Sequence, residues 1–114
     1  MSTGPVYGVP FAWTTFDGAD PLAGLDGKRV TQCALSRICG TCGESLGRPI
    51  AFVGDKTEVG RNAFHAPPLH LDCAVSLRGR APGSELVTTG GFEFVRASQE
   101  DIDRRPTFEP NSLL

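Results

Sequence analysis

Two residue pairs constrain this chain more than anything else in it. Cys39-Gly-Thr-Cys42 and His70-Leu-Asp-Cys73 each set two metal-competent side chains across the same two-residue gap, with 27 residues between the pairs. Such a gap lets both members of a pair reach one ion, and tetrahedral zinc takes four sulfur and nitrogen ligands of this kind. The chain has only four cysteines and two histidines, so most of its soft ligands fall in one pattern. The spacing predicts a single structural Zn2+ held by Cys39, Cys42, His70 and Cys73. Four protein ligands leave no open position for water, which argues against a catalytic ion.

A chain of 114 residues is expected to form one domain with a modest core. Its 14 glycines and 9 prolines favour turns and short strands over long helices. No apolar run approaches the roughly 18 residues of a membrane helix, so no membrane partner is expected. The opening Met-Ser-Thr-Gly-Pro-Val-Tyr-Gly lacks the basic start and apolar stretch of a signal peptide. The default compartment is therefore the cytoplasm, where structural disulfides are disfavoured and a Cys-x-x-Cys pair points to metal or redox chemistry.

Charge is distributed unevenly. Residues 1–27 hold three acids and no base, and residues 28–80 hold eight bases against four acids. Residues 81–114 hold six acids against three arginines. A mildly basic centre thus lies between acidic flanks. Four segments follow from these shifts: an aromatic and acidic N-terminal extension over 1–28, a zinc-binding domain over 29–80, a loop and strand packing on it over 81–98, and an acidic, loosely ordered tail over 99–114.

Within that frame, residues 6–16 are rich in aromatic and β-branched side chains and read as a short extended segment, confined to a sheet edge or a bulge by Pro10. Residues 17–28 read as a loop. Residues 29–38 fit a strand or a short helix, with a lean to helix at 32–37. Residues 49–53 read as a strand, 54–56 as a turn and 57–66 as a second extended piece, together giving a β-hairpin over 47–66. A helix is expected from His70 to Arg78, with an apolar face of Leu71, Ala74, Val75 and Leu77 and with Gly79 ending it in the left-handed region. Residues 81–90 read as another loop, and the alternation over 92–96 as a strand.

Cys39-Gly-Thr-Cys42-Gly looks like a zinc knuckle, with Gly43 suited to a positive φ. His70 and Cys73 then stand one turn apart at a helix start, where the dipole favours thiolate. Knuckle, hairpin and helix N-terminus make a small α+β domain of treble-clef-like layout with irregular N- and C-terminal extensions. A disulfide framework and a thioredoxin-like redox pair are the competing readings. The second needs a helix straight after the motif, and Gly43-Glu-Ser-Leu-Gly is poor helix sequence. The same five residues match Gly-x-Ser-x-Gly, but a nucleophile elbow requires a large α/β sheet around it. His65 is read as a surface residue or one supporting the ligands, and Cys33 as a buried small apolar side chain.

The layout resembles small treble-clef-like zinc-binding proteins of actinobacteria and their phages. The matching residues are Val9, Pro10, Phe11 and Trp13, then Cys39, Cys42, Leu46 and Gly47, then Pro67, Pro68, His70, Cys73 and Ala74. The match covers roughly residues 9–78. Many such proteins carry a Cys-Pro after the helix, whereas Leu77-Arg-Gly-Arg-Ala-Pro here has no cysteine. The resemblance implies zinc and a phage or mobile-element origin, with the host cytoplasm as location; it supplies no reaction.

The leading functional reading is a zinc-stabilised, non-enzymatic module that engages a protein partner, such as a host regulator or virion component, with its aromatic-rich ends as arms along that partner. No catalytic constellation and no small-molecule site stand out. A nucleic-acid-binding reading would use Lys28, Arg29, Arg37, Arg48, Lys56, Arg61, Arg78 and Arg80 on phosphates and Phe52 or Phe64 for base stacking. An enzymatic reading would need thiol–disulfide exchange at Cys39 and Cys42, or a nuclease site drawn from His65 and Asn62.

Overall fold

The computed structural model describes residues 9–20, 22–97 and 105–112. Expectations for residues 6–8 and for the first part of the tail lie outside these. The first helix, α1 (Gly27–Ser36), starts at Asp26. The Asp26 carboxylate accepts the N–H groups of Lys28 and Arg29 at 3.0 and 3.4 Å, two donors that a helix start otherwise leaves open. Val30, Cys33 and Ala34 are buried at helical spacing. Arg37 ends α1 at φ 53°. The expected loop over 17–28 therefore stops at Asp26, and the helix begins at Gly27, ahead of the expected 32.

β1 (Ile50–Gly54) is buried at every residue. The expected second arm of a hairpin over 57–66 does not form, because Asp55 and Glu58 cap each other. Asp55 Oδ1 accepts the Glu58 N–H at 2.8 Å, and Glu58 Oε1 accepts the Asp55 N–H at 3.2 Å. This reciprocal pair starts α2 (Lys56–Arg61), which ends at Asn62 with φ 55°. The chain returns through Pro67 and Pro68 to β2 (Leu69–His70) and enters α3 (Leu71–Arg80). Gly79 lies inside α3 and does not end it; the helix runs on to Arg80, and the positive-φ glycine is Gly83, in the following turn.

β3 (Glu85–Thr89) stands where a loop was expected. Its pairing with β1 runs from Ile50–Thr89 to Gly54–Glu85, antiparallel, and β1 also pairs with β2, giving the order β2-β1-β3. A second sheet joins β4 (Gly91–Val95) to β5 (Thr107–Ser112). Here the expected loose tail is corrected: residues 107–112 form a strand and Phe108 is fully buried. The acids, Arg104-Arg105-Pro106 and Asn111-Ser112 had suggested a tail, and Pro110, which donates no hydrogen bond, is tolerated within the strand only where no donor is needed.

The two sheets meet at a phenylalanine cluster. The Phe52 ring lies 5.4 Å from Phe64, 5.7 Å from Phe92 and 5.8 Å from Phe108. A reciprocal backbone pair between Phe64 and Phe108, at 2.8 and 2.7 Å, ties the layers together. At the other end, residues 9–16 form turns and one isolated bridge between Trp13 and Leu25, not the expected extended strand. The Phe11 and Ala12 N–H groups donate to Thr41 and Gly40, which lays this segment against the Cys39–Cys42 loop. Trp13 is 1% exposed. With Trp13 and Phe108 in the core, the aromatic residues described at the two ends are not arms free to lie on a partner. The result is a small mixed α/β fold of antiparallel sheets. Among the described residues no helix is long and apolar enough to cross a membrane.

Candidate metal centre

The segment from Arg37 to Leu46 folds back on itself. Leu46 N–H donates to Arg37, Cys39 N–H to Glu44, and Gly43 N–H to Cys39, at 2.8–2.9 Å. Gly43 makes the turn at φ +76°, a conformation costly for residues with a Cβ. This fold-back points the Cys39 and Cys42 sulfurs to one side. The other half comes from the β2–α3 junction. Gly40 N–H donates to the Pro68 carbonyl at 2.8 Å, which fixes the loop against β2. His70 is the N-cap of α3 but makes no capping bond with its side chain, because the imidazole is turned towards the sulfurs. Cys73 follows in the first turn.

The four residues meet. The sulfurs of Cys39, Cys42 and Cys73 and one ring nitrogen of His70 all lie within 4.8 Å of one another. Four donors at ~2.3 Å from one ion would be ~3.8 Å apart, so the cluster needs to tighten by only about 1 Å. His70 Nδ1 lies 3.4 Å from Cys42 Sγ and 3.9 Å from Cys73 Sγ, while Nε2 lies 2.8 Å from the Ser45 carbonyl. A carbonyl only accepts, so Nε2 carries the hydrogen and the Nδ1 lone pair faces the sulfurs. That is the arrangement in which a backbone acceptor orients a ligating histidine. Cys39 is fully buried, Cys42 exposed, and His70 and Cys73 half-buried, so the cluster opens to solvent on its Cys42 side.

The electrostatics divide the sulfurs. Burial pushes the Cys39 thiol up, but N–H groups of Cys42, His70 and Thr41 outweigh it and hold it below the usual value. The Thr41 and His70 donors stand 3.4 and 3.5 Å from its sulfur. Burial, followed by the charges of Cys39 and Cys42, pushes Cys73 up to about 12. Burial also raises Cys42, against a Glu44 N–H that lowers it, and the Cys39 charge adds to the rise. His70 is lowered by burial, but its bond to Ser45 and the charge of Cys39 raise it on balance. One anion is therefore accommodated and further ones are opposed. A divalent cation at the centre reverses that balance, since a coordinating thiol is deprotonated outright. The donor set, its burial and its pre-oriented hydrogen bonds fit one metal ion, and no disulfide is formed.

The remaining candidates lie elsewhere. Cys33 is fully buried, and burial together with the Cys39 charge pushes its thiol up to about 12. His65 is neither on the surface nor beside the sulfurs. Its Nδ1 is 2.7 Å from Glu58 Oε2, and its N–H donates to the same oxygen at 2.9 Å. Ser45 contributes its carbonyl to His70. The proposed base-stacking residues Phe52 and Phe64 are fully buried, which overturns that role. Three of the basic residues lie over rings instead: Arg29 on Phe11 at 5.3 Å, Arg37 on Phe92 at 4.7 Å and Arg80 on Phe16 at 4.6 Å. No spacing rule could have found the Ser45 carbonyl or the Thr41 N–H, because any residue type supplies them. No protein-family model, curated protein or solved structure matches this chain.

Proposed function

We propose that Cys39, Cys42, Cys73 and Nδ1 of His70 hold one structural zinc ion, and that the domain so stabilised is a non-enzymatic module engaging a protein partner. The convergence of four donors within 4.8 Å carries the metal reading. Three sulfurs and an imidazole suit zinc and disfavour magnesium or calcium, which seek oxygen. The layout is then a treble-clef-like variant. The Arg37–Leu46 fold-back supplies one ligand pair, the start of α3 the other, and β1 with α2 fills the place of a hairpin.

Support for a protein partner comes from the surface. Leu35 and Val75 are 71% and 51% exposed on helices α1 and α3. The arginines stacked on phenylalanine are engaged within the fold, which weakens the nucleic-acid reading. The ligand set is closed, so the metal has a structural role. Elemental analysis of purified protein should give one zinc per chain; another metal, or none, refutes the first half. A pull-down at moderate salt should retain a stoichiometric protein. Background protein with salt-sensitive nucleic-acid retention would replace the second half with the nucleic-acid reading.

A further inference from the structure

The sulfurs of this chain are not equally open to solvent. Cys33 and Cys39 are fully buried and Cys73 is half-buried. Cys42 is exposed, and exposed Glu44 and Ser45 follow it. Two N–H groups also occupy the Cys39 sulfur, from Thr41 at 3.4 Å and His70 at 3.5 Å. A reagent from outside therefore meets the cluster at Cys42.

The fold-back sets a second sulfur beside that one. Gly43 N–H returns to the Cys39 carbonyl at 2.9 Å, closing a turn in which Cys39 and Cys42 stand three positions apart. A turn holds Cα atoms at that separation within ~7 Å, which overlaps the ~4.4–6.8 Å that a disulfide spans. The two sulfurs lie within 4.8 Å of each other, so bonding them moves side chains within one short loop.

Cys73 belongs to a different element. Pairing it with Cys42 draws α3 towards a loop that is fixed elsewhere. Gly40 N–H is bonded to the Pro68 carbonyl, and a Cβ on Gly40 would stand 2.3 Å from Pro67 Cγ. The loop thus has no room to slide along β2. Cys33 is buried away from any reagent.

We propose that Cys42 is an oxidation site, at which a peroxide closes a Cys39–Cys42 disulfide and so releases the metal ion. The inference rests on the metal half of the proposed function. A bound cation keeps the sulfurs deprotonated, and the thiolate is the form of cysteine that reacts with peroxides. Cys42 Sγ attacks hydrogen peroxide: the O–O bond breaks, an S–O bond forms and hydroxide leaves. The sulfur is oxidised to a sulfenic acid as the peroxide is reduced. Cys39 Sγ then attacks Cys42 Sγ, an S–S bond replaces the S–O bond, and a second hydroxide leaves. In sum, two thiolates and one peroxide give one disulfide and two hydroxides. His70 and Cys73 alone are half of a tetrahedral ligand set, which is too few to retain the ion.

The test adds hydrogen peroxide to the full-length, zinc-loaded chain. A chromogenic chelator reads released zinc, and alkylation with trypsin maps the thiols. Arg48 precedes Pro49, so Cys39 and Cys42 fall in one tryptic peptide, residues 38–56. Zinc release is expected in step with loss of two hydrogens from that peptide, while Cys33 and Cys73 remain open to alkylation after denaturation. Reductant and fresh zinc should restore the loaded form. Before any peroxide, Cys42 of the loaded chain should be alkylated at least about ten-fold faster than the other cysteines, a measurement that needs no variant. In Cys39→Ser, Cys42 should stop at the sulfenic acid, which dimedone traps. First oxidation at Cys33 or Cys73, or a disulfide joining two tryptic peptides, overturns the proposal. So does Cys42 driven to sulfinic acid with no disulfide, or zinc retained at a peroxide level that oxidises a free peptide of residues 38–48. A chain purified without zinc fails before peroxide is added, so failure of the metal reading is distinct from failure here.

Discussion

Around Cys39 the chain is held by turns and small residues; around Phe52 it is held by rings. At the first end Gly40 and Cys39 are buried, but neither brings much apolar area, and the three thiols resist sharing one space as anions. At the second, Phe52, Phe64, Phe92, Phe94 and Phe108 form a chain of ring contacts of 5.0–5.8 Å. Each buried ring removes ~150–250 Å² from water, at ~25 cal/mol per Å². β1 belongs to both ends. Ile50 pairs with His70 beside the sulfurs, and Phe52, two residues on, is the hub of the rings. The comparison teaches that the two ends are held by different devices, hydrogen-bonded turns around the sulfurs and packed rings around Phe52, and that a shared strand couples them.

Metal removal is the most severe test of that coupling. Apparent zinc binding contributes roughly 10–16 kcal/mol in small structural sites, against ~5–15 kcal/mol for a whole domain. Chelation should therefore unfold residues 39–79 and, through β1, take the phenylalanine cluster with them. Thiol titration reads this directly. The loaded protein should protect Cys39, Cys73 and buried Cys33, and the chelated protein should expose all four cysteines. If the amides of Phe52 and Phe108 keep their protection from hydrogen exchange in chelator, the two ends are independent and the ring cluster stands alone.

The converse experiment removes a ring. Phe108 is fully buried against Phe52, Phe92 and Phe94, so Phe108→Ala should cost ~3–5 kcal/mol. The denaturant midpoint of the loaded protein should fall accordingly while zinc content stays at one per chain. Loss of zinc from this variant would mean that the strand transmits damage in both directions.

How much of this was legible in the sequence follows the same division. The convergence of Cys39, Cys42, His70 and Cys73 was, because coordination imposes a spacing that few other constraints imitate. The two helix starts were not read. Asp26-Gly27 and Asp55-Lys56 looked like turns, yet each aspartate is an N-cap, and Asp55-Lys-Thr-Glu58 is a capping box. Turns and caps draw on the same residues, since both need a side-chain oxygen to satisfy a free N–H. β5 was missed because the acids, Arg104-Arg105-Pro106 and Asn111-Ser112 suggested a tail, whereas its place is decided by Phe108 reaching a distant cluster. On α3, Leu71 and Val75 were expected inward with Ala74 and Leu77. They are 38% and 51% exposed, since the helix turns a narrow face to β1. His70 was legible as a member of that cluster, but which of its nitrogens faces the sulfurs depends on the Ser45 carbonyl, 25 positions away.

Acid should weaken the metal end and spare the rings. Without an ion, Cys73 is pushed up to about 12 and Cys42 is also raised, so both carry protons at neutral pH. The bound state has released those protons. Affinity therefore rises with pH, and the stability the metal contributes is lost as pH falls. Two protons give a change of about a hundred-fold per pH unit. Competition with a chromogenic chelator between about pH 6 and 8 measures the slope. A slope near zero would show that the thiols are already ionised without metal. A comparable slope in the stability of the ring cluster under chelator would show that it is not the metal that titrates.

The smallest effect concerns Thr41, between the two cysteines of the fold-back. Its N–H donates to Cys39 Sγ and its carbonyl accepts from Phe11, and both survive any substitution that keeps the backbone. Its hydroxyl is buried and has no hydrogen-bond partner among the described residues. A buried unpaired hydroxyl carries a penalty of ~1–3 kcal/mol, which a methyl of similar size removes. Thr41→Val should leave zinc affinity unchanged and hold or raise the melting temperature, as a methyl swap would at the ring end. A fall in zinc affinity of about ten-fold would show the hydroxyl turning to a metal-bound sulfur once the ion is in place. Side-chain donors, and not the backbone alone, would then organise the metal end.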